Sequence, residues 1–102
     1  MALNIAGYSF EGPFDSADAL QDRSGVYVIV DATSGSYEPI DCGESASVRS
    51  RVASHDRAPC WQQNAAGTLM VAVRYTPNLP QSSRRQIESI IRGQYRFPCG
   101  VP

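Results

Sequence analysis

Hydrophobic and polar positions are patterned most clearly in the first half of the chain, where two neighbouring segments have the character of strands. Residues 26–31 (VYVIVD) are rich in β-branched and aromatic side chains, which favour extended structure. Residues 37–42 (YEPIDC) form a second such segment, and the turn residues 32–36 between them predict a β-hairpin. Pro39 lies inside the second strand, which indicates an edge position or a bulge because proline donates no hydrogen bond to a neighbouring strand.

A helical pattern follows the hairpin. Ser45 or Ser47 can cap a helix that runs to about His55 and buries its valines. Residues 56–67 are polar and irregular, so the pattern predicts a loop there, with the only tryptophan, Trp61, inside it.

A third strand and a second helix complete the pattern. Residues 68–75 (TLMVAVRY) have strand character, and a helix that begins at Ser82 or Ser83 is predicted to end at Gly93. Residues 6–14 indicate a short leading strand at an edge of the sheet. The order β-β-α-β-α after this strand predicts an α+β domain in which helices cover a small sheet.

Length and composition narrow the class of protein. The chain has 102 residues, so we expect one domain that spans residues 1–102. Its composition, with 42% hydrophobic and 19% charged residues, is that of a folded globular protein rather than a disordered one. No apolar run approaches the roughly 20 residues that cross a bilayer, and the N-terminus lacks the pattern of a secretory signal. We therefore expect a cytoplasmic protein that does not bind a membrane.

The three cysteines leave two interpretations open. Their odd number and the absence of a C-x-x-C pair argue against a disulfide framework, so Cys42, Cys60 and Cys99 are expected to be reduced and partly buried. Alternatively His55, Cys60 and Cys99, with or without Cys42, hold a structural zinc ion. The spacing is unlike that of known zinc sites, which disfavours this alternative.

Charge is distributed unevenly along the chain although the net charge is only −1. Up to Val48, eight acidic residues stand against one arginine, whereas from Arg49 onward eight arginines stand against two acidic residues. All nine basic residues are arginine, which suits bidentate contacts to phosphate, although a compositional bias of the genome explains the same fact. The polarity between the halves is compatible with a basic surface that binds nucleic acid.

Several residues of these elements follow each other in the order of a known family. Gly25-Val26-Tyr27 opens the first strand, Gly43 closes the second, and Arg51, His55 and Glu88 follow in the two helices. This set, over residues 24–100, resembles the GIY-YIG nuclease superfamily. The resemblance implies a three-stranded antiparallel sheet flanked by helices and a site that cleaves phosphodiester bonds with one divalent metal ion.

The resemblance also implies a role for each residue. Tyr27 would activate the attacking water with help from His55, and Arg51 would bind the phosphate that is cleaved. Glu88 would hold one Mg²⁺ or Mn²⁺, since carboxylate oxygen suits such hard cations. Ordinary structural roles are the alternatives: cross-strand packing for Tyr27, a helix C-terminal residue for His55, and helix-surface ion pairs between Glu88 and the nearby arginines, which are Arg84, Arg85 and Arg92.

The chain departs from the family pattern at two places. Asp41 stands where the second motif has its tyrosine, and Cys99-Gly100 stands where an asparagine is common after the last helix. Alternation along the strand places Asp41 on the same face as Tyr37 and Pro39. Our hypothesis is that Asp41 belongs to the site, where it accepts a hydrogen bond from Tyr27 or Arg51 or adds a second ligand to the metal.

The sequence thus predicts an endonuclease that hydrolyses DNA with one Mg²⁺ or Mn²⁺, through Tyr27, Asp41, Arg51, His55 and Glu88. The alternative is a catalytically decayed domain that binds nucleic acid or a protein. A domain of this size has no separate recognition module, so a protein partner or a homo-oligomer is expected to supply specificity. Four arginines are candidates for sequence-independent phosphate contacts: Arg49, Arg57, Arg84 and Arg85.

Overall fold

One five-stranded antiparallel sheet organises the chain in a computed structural model that describes residues 2–100. The strands run in the spatial order β1-β2-β5-β3-β4, so β1 and β4 are the edges of the sheet. Their bounds are β1 Ala2–Ile5, β2 Tyr8–Phe14, β3 Gly25–Thr33, β4 Ser36–Ser45 and β5 Thr68–Tyr75. The helices are a short 3₁₀ helix Ala17–Ala19, α1 Val48–Ala53, α2 Ala58–Asn64 and α3 Gln81–Gln94.

The predicted α+β class is confirmed, but the sheet has five strands where three plus a short leading strand were expected. The difference arises at the N-terminus, where β1 and β2 form a hairpin that pairs with β5 through β2. Ala6 and Gly7 adopt positive φ angles of 54° and 87° at its turn, and the Asn4 side chain accepts a hydrogen bond from the Gly7 N–H. The leading strand is therefore an inner strand, because a further strand covers its outer side.

The segment between α1 and β5 also differs from the prediction. Residues 56–67 were expected to form a loop, but they contain helix α2. Pro59 lies in its first turn, where the missing N–H of proline costs nothing. Trp61 on this helix is buried, so the segment is anchored on the sheet through this side chain while its other face stays exposed.

The sheet buries both of its faces. On one face, the valines of β3 pack under α3 through Ile87 and Ile91. On the other face, Tyr27 and Ile29 pack with Val48 of α1 and with Trp61. Alternate residues of β3 therefore serve two separate clusters, which explains why its whole run from Gly25 to Asp31 is buried.

A register shift in β4 changes which side chains face each cluster. Ile29 pairs with Asp41 while Val30 pairs with Pro39, so Ile40 is an extra residue. The prediction of an edge position or a bulge at Pro39 is confirmed, since β4 has both. Simple alternation, however, fails beyond the bulge, and Asp41 does not share a face with Pro39.

A disulfide bond joins Cys60 of α2 to Cys99 in the C-terminal tail. The expectation of three reduced cysteines is therefore wrong for two of them, and only Cys42 is a free, buried thiol among the described residues. A zinc site on Cys60 and Cys99 is excluded in this state, because neither sulfur is a thiolate. The tail lies along the edge of β4, where the Cys99 N–H donates to the Ile40 carbonyl at 3.1 Å.

None of the helices within residues 2–100 has the length and apolar character needed to cross a membrane.

Candidate active site

Tyr27 lies directly opposite Gly43 in the paired strands β3 and β4. The Tyr27 ring passes over Gly43: a Cβ atom there would overlap the Tyr27 hydroxyl oxygen and lie 2.5 Å from Cζ. A glycine is therefore required by close approach and not by backbone conformation. Tyr27 and Gly43, which the resemblance assigns to its first and second motifs, are therefore in direct contact.

A substitution at Gly43 tests how closely Tyr27 is held. We expect Gly43→Ala to lower the free energy of unfolding by about 1–3 kcal/mol, because the added methyl overpacks a buried ring. The matched control is Gly93→Ala on α3, where nothing lies within 4 Å of an added Cβ. That variant should gain about 0.5–1 kcal/mol from helix propensity. Urea unfolding measures both, and equal stability of Gly43→Ala and the wild type would contradict the contact.

The Tyr27 hydroxyl is hydrogen-bonded to Nε2 of His55 at 2.7 Å, and both side chains are buried. The other ring nitrogen, Nδ1, accepts from the Arg57 backbone N–H at 3.0 Å and also lies 3.3 Å from Asp56 Oδ1. A backbone N–H can only donate, so Nδ1 must be the unprotonated nitrogen. The bond from the Arg57 N–H thus favours the tautomer that carries its proton on Nε2 and donates it to the Tyr27 oxygen.

The surroundings keep both members of this pair uncharged. Burial lowers the pKa of His55 to about 4, and the charges of Arg51 and Arg57 act in the same direction. Burial also raises the pKa of the Tyr27 hydroxyl well above its ordinary value. At neutral pH a neutral histidine thus orients a protonated tyrosine, which favours a positioning role for His55 over that of proton acceptor.

The low pKa of His55 predicts a pH dependence of stability. The unfolded state takes up a proton near pH 6.5, whereas the folded state does so only near pH 4. The titration of His55 therefore leaves the free energy of unfolding unchanged above pH 6.5. As the pH drops from 6.5 to about 4, it lowers that free energy by on the order of 3 kcal/mol. Urea unfolding of the wild type across this window, beside His55→Gln, measures the effect. A wild-type curve parallel to that of the variant would contradict it.

Asp41 is the most completely bonded side chain of the region and is 0% exposed. Its carboxylate accepts from Arg57 Nε, Trp61 Nε1 and Arg92 Nη2, each at 2.7 Å, and from the Cys42 backbone N–H at 2.8 Å. Two arginines thus reach it from helices on opposite sides of the sheet. Burial alone would raise the pKa of Asp41, but the hydrogen bonds from Arg57, Trp61 and Arg92 hold it below the ordinary value.

The hypothesis that Asp41 accepts directly from Tyr27 or Arg51 is wrong. The Tyr27 hydroxyl is bonded to His55, and Arg51 Nη2 donates to Asp56 Oδ1 at 3.0 Å. The physical reason is the bulge in β4, beyond which Asp41 lies opposite Ile29 and is bonded to Arg57, Trp61 and Arg92 instead. Asp41 acts on the tyrosine pair only through α2, whose Trp61 ring packs 4.7 Å from that of His55.

Arg51 lies beside the Tyr27–His55 pair and keeps access to solvent. Its charge is the strongest that acts on the pKa of either partner. The side chain is 39% exposed, and its bond to the exposed Asp56 is of the weak surface kind. An anionic ligand can therefore replace Asp56 at the guanidinium at little cost.

Glu88 forms an ion pair with Arg92 one turn later on α3, with 3.2 Å between Arg92 Nε and Glu88 Oε2. The helix-surface ion pair, which was the structural alternative to metal binding by Glu88, is thus formed. The carboxylate is nevertheless 25% exposed, and beside burial, which is the main cause, its charge contributes to the raised pKa of the Tyr27 hydroxyl. Only one oxygen of Glu88 is bonded to Arg92, so the other can bind a metal ion. One carboxylate oxygen is enough for Mg²⁺, which keeps most of its waters when it binds to a protein. Residues 2–100 contain no cluster of three or more side chains of the metal-ligating types.

The four arginines predicted to contact phosphate fall into two groups. Arg57 is bonded to Asp41, and the buried Arg84 donates to Glu44 at 3.0 Å, so both serve the fold. Arg49 and Arg85 have side chains that are 50% and 68% exposed, and their nearest carboxylates lie at 4.0 and 3.8 Å. Only the second group has the freedom that a phosphate contact needs.

Sequence reasoning missed the contribution of Trp61 and the full role of Arg92. Arg92 was named only as a partner for Glu88, yet it also binds Asp41 and donates to the Cys42 and Cys99 carbonyls. Pro59 was a usable signal for α2, because proline is favoured in the first turn of a helix. No local pattern indicates that the Trp61 N–H reaches a carboxylate 20 residues earlier.

Comparison with protein-family models, with curated proteins and with solved structures finds no match to this chain.

Proposed function

We propose that the chain is a divalent-metal-dependent endonuclease that hydrolyses DNA phosphodiester bonds, in the manner implied by its resemblance to GIY-YIG nucleases. The observation that carries the proposal is the buried Tyr27–His55 hydrogen bond beside Arg51 and Glu88. These residues come from β3, from the segments around α1 and from α3. A buried histidine that fixes a tyrosine hydroxyl, with the accessible Arg51 next to the pair, supports a catalytic role for the tyrosine.

The element order supports the same proposal. From β3 onward, the chain has a hairpin, helices, a strand and a final helix, and β3 is bonded to both β4 and β5. This three-strand unit has the arrangement that the resemblance implies, with the β1–β2 hairpin added at its side. The glycine opposite Tyr27 lets the buried hydroxyl lie directly over the β4 backbone, where a side chain would displace it.

Each residue can be given a task in phosphodiester hydrolysis. Tyr27 holds its proton at Oη at neutral pH, so it orients the attacking water by a hydrogen bond while His55 fixes the hydroxyl. Arg51 stabilises the negative charge that grows on the phosphate oxygens. Glu88 would hold Mg²⁺ or Mn²⁺, which supplies Lewis-acid stabilisation of the phosphate and the leaving oxygen.

The test is the nicking of supercoiled plasmid in the presence of Mg²⁺ or Mn²⁺. We expect Glu88→Gln and Arg51→Ala to reduce nicking by about 100-fold or more, because each removes transition-state stabilisation. Glu38→Gln, at an exposed acid on β4, is the matched control and should nick like the wild type.

Thermal unfolding of Glu88→Gln separates loss of activity from loss of the ion pair with Arg92. Wild-type protein that nicks with neither metal, or Glu88→Gln that nicks normally, would overturn the proposal.

A second candidate is a binding module without catalysis. The observation that favours it is Asp41, which occupies the place of a motif tyrosine and is fully used by the fold. DNA binding that weakens steeply with salt, without nicking in either metal, would support this candidate. Absence of DNA binding at low salt would leave a protein partner as the remaining ligand class.

The disulfide bears on where the protein acts. Disulfides persist in oxidising compartments and are rare in the cytosol. The Cys60–Cys99 bond therefore favours an oxidising compartment over the cytoplasmic location expected from the sequence. Alkylation of thiols during cell lysis, followed by mass analysis of the protein, tests this point: one modified cysteine supports the disulfide in the cell, and three support a cytoplasmic, reduced protein.

A further inference from the structure

A cavity of about 300 Å³ lies where the curled sheet brings its two edges together. It is lined by Leu3 and Ile5 of β1 and by Tyr37 and Pro39 of β4, although three strands separate these edges in the sheet. The buried valines of β3 form part of the wall, and two aromatic side chains of the C-terminal tail complete it: Tyr95 and Phe97. The volume is at the lower end of the range for small-ligand pockets.

The aromatic rings of this cavity are unusually accessible. Tyr37 is 48% and Tyr95 is 40% exposed, which makes them two of the four exposed large hydrophobic residues in the described chain. Tyr95 and Phe97 stand nearly perpendicular to each other, at 79°, with ring centres 6.3 Å apart. Tyr95 is held in place because its hydroxyl accepts from the Ala6 N–H at 3.2 Å. The rings therefore form a fixed wall, in which Tyr37 and Tyr95 are exposed and Arg92 lies over the ring of Phe97.

A second cavity of about 290 Å³ shares Tyr95 and Phe97 with the first. Its other lining residues are Arg92, Arg96 and Gly100. Arg92 is paired with Asp41 and Glu88, so the cation left for a ligand is the exposed Arg96. Arg92 lines the second cavity and is bonded to Glu88, whereas Tyr27 lies on the opposite face of the sheet.

An apolar, aromatic-walled cavity beside a cationic one fits a ligand with a flat ring and an adjacent anion. A nucleotide has this chemistry: the base stacks on aromatic rings, and its phosphate pairs with arginine. We propose that the aromatic cavity receives one unstacked base of DNA, while its phosphate lies against Arg96. This inference rests on the proposed function, since it assumes that the chain binds DNA.

The proposal names a substrate class. A base inside a regular duplex must be unpaired and unstacked before it can enter a cavity, whereas a base in a single strand or at a mismatch needs little of that energy. The protein should therefore prefer DNA that carries an unpaired base. This preference would give a small domain specificity without a separate recognition module.

Binding of a short single-stranded oligonucleotide that carries 2-aminopurine tests the proposal, in EDTA so that cleavage plays no part. Stacking should quench the 2-aminopurine fluorescence, and an otherwise identical oligonucleotide with an abasic site in place of that base should bind about 10-fold more weakly.

Tyr37→Ala should abolish this difference in affinity. Leu79→Ala, which removes another exposed hydrophobic side chain outside the cavity, is the matched control and should preserve it. Arg96→Ala should weaken both oligonucleotides and reduce the salt dependence by about one phosphate contact.

The outcomes separate this inference from the proposed function. Base-dependent binding that needs Tyr37, in a protein that never nicks DNA, supports the cavity and contradicts the nuclease. Nicking with equal affinity for base-containing and abasic oligonucleotides overturns the cavity and leaves the nuclease. No binding of either oligonucleotide at low salt, or binding unchanged in Tyr37→Ala, also overturns the inference.

Discussion

Asp41→Asn is expected to lower the free energy of unfolding by about 3–5 kcal/mol, because it leaves buried cations without their counter-charge. The asparagine keeps the shape of the side chain but removes the charge that holds Arg57 and Arg92. The Arg92 side chain is only 6% exposed, so water cannot take over the role of the carboxylate. A chain of this size has about 5–15 kcal/mol of stability in total, so the variant should lie near the limit of folding.

Thermal unfolding is the measurement, and the expected decrease in Tm is about 12 °C or more. Asp31→Asn is the matched control, since Asp31 is equally buried on the neighbouring strand but accepts only from the Ala66 and Gly67 backbone N–H groups. Weakening of these two backbone-to-carboxylate bonds should cost it about 1.5–3 kcal/mol, less than the loss of the counter-charge of two arginines. Equal losses in the two variants would contradict the view that the charge of Asp41 is what matters.

The same variant separates a structural from a catalytic function of this position. Trp61 and the Arg57 backbone contact His55, and both belong to the network around Asp41. Under the proposed nuclease function, nicking by Asp41→Asn, measured well below its unfolding temperature, should therefore decrease through displacement of His55. Unchanged Mg²⁺-dependent nicking would exclude any role for the Asp41 charge in catalysis and confine it to the fold.

The parts of the fold that the sequence predicts are those with long, regular patterns. The β3–β4 hairpin, β5 and α3 follow from periods of two and of 3.6 residues, and their bounds agree closely with the structure. The β1–β2 hairpin and the seven-residue α2 have no such length. Their stability comes from packing and from partners far along the chain, which no local pattern records.

The sequence likewise predicted some residues of the candidate site but not the contacts that hold them. Tyr27, Gly43, Arg51 and His55 were found because the order of residues in a motif survives without knowledge of the fold. The partners of Asp41 were not found, since Arg57 and Arg92 lie 16 and 51 residues away and arrive from opposite sides of the sheet. The bulge at Ile40 is equally hidden, because one extra residue in a strand breaks the alternation on which the prediction relied.

Reduction of the Cys60–Cys99 disulfide is expected to lower the free energy of unfolding by about 4 kcal/mol, since the bond closes a loop with a sequence separation of 39 residues. The bond acts mainly by restricting the unfolded chain. In the folded state, the Cys99 N–H still donates to Ile40 and its carbonyl still accepts from Arg92. The reduced protein should therefore fold into the same structure and unfold at a lower urea concentration.

Urea unfolding with and without dithiothreitol measures this effect, and the double variant Cys60→Ser, Cys99→Ser is the control. The double variant should unfold where the reduced wild type does and should not respond to the reductant. Alkylation under denaturing conditions should label one thiol, Cys42, in the oxidised protein and three after reduction. If all three cysteines of the untreated protein are labelled, or if dithiothreitol leaves the urea midpoint unchanged, the disulfide does not stabilise the fold. The coupling between the tail and α2 would then rest on the Asp41 network and on weak contacts such as that of the Asn64 amide with the Cys99 sulfur.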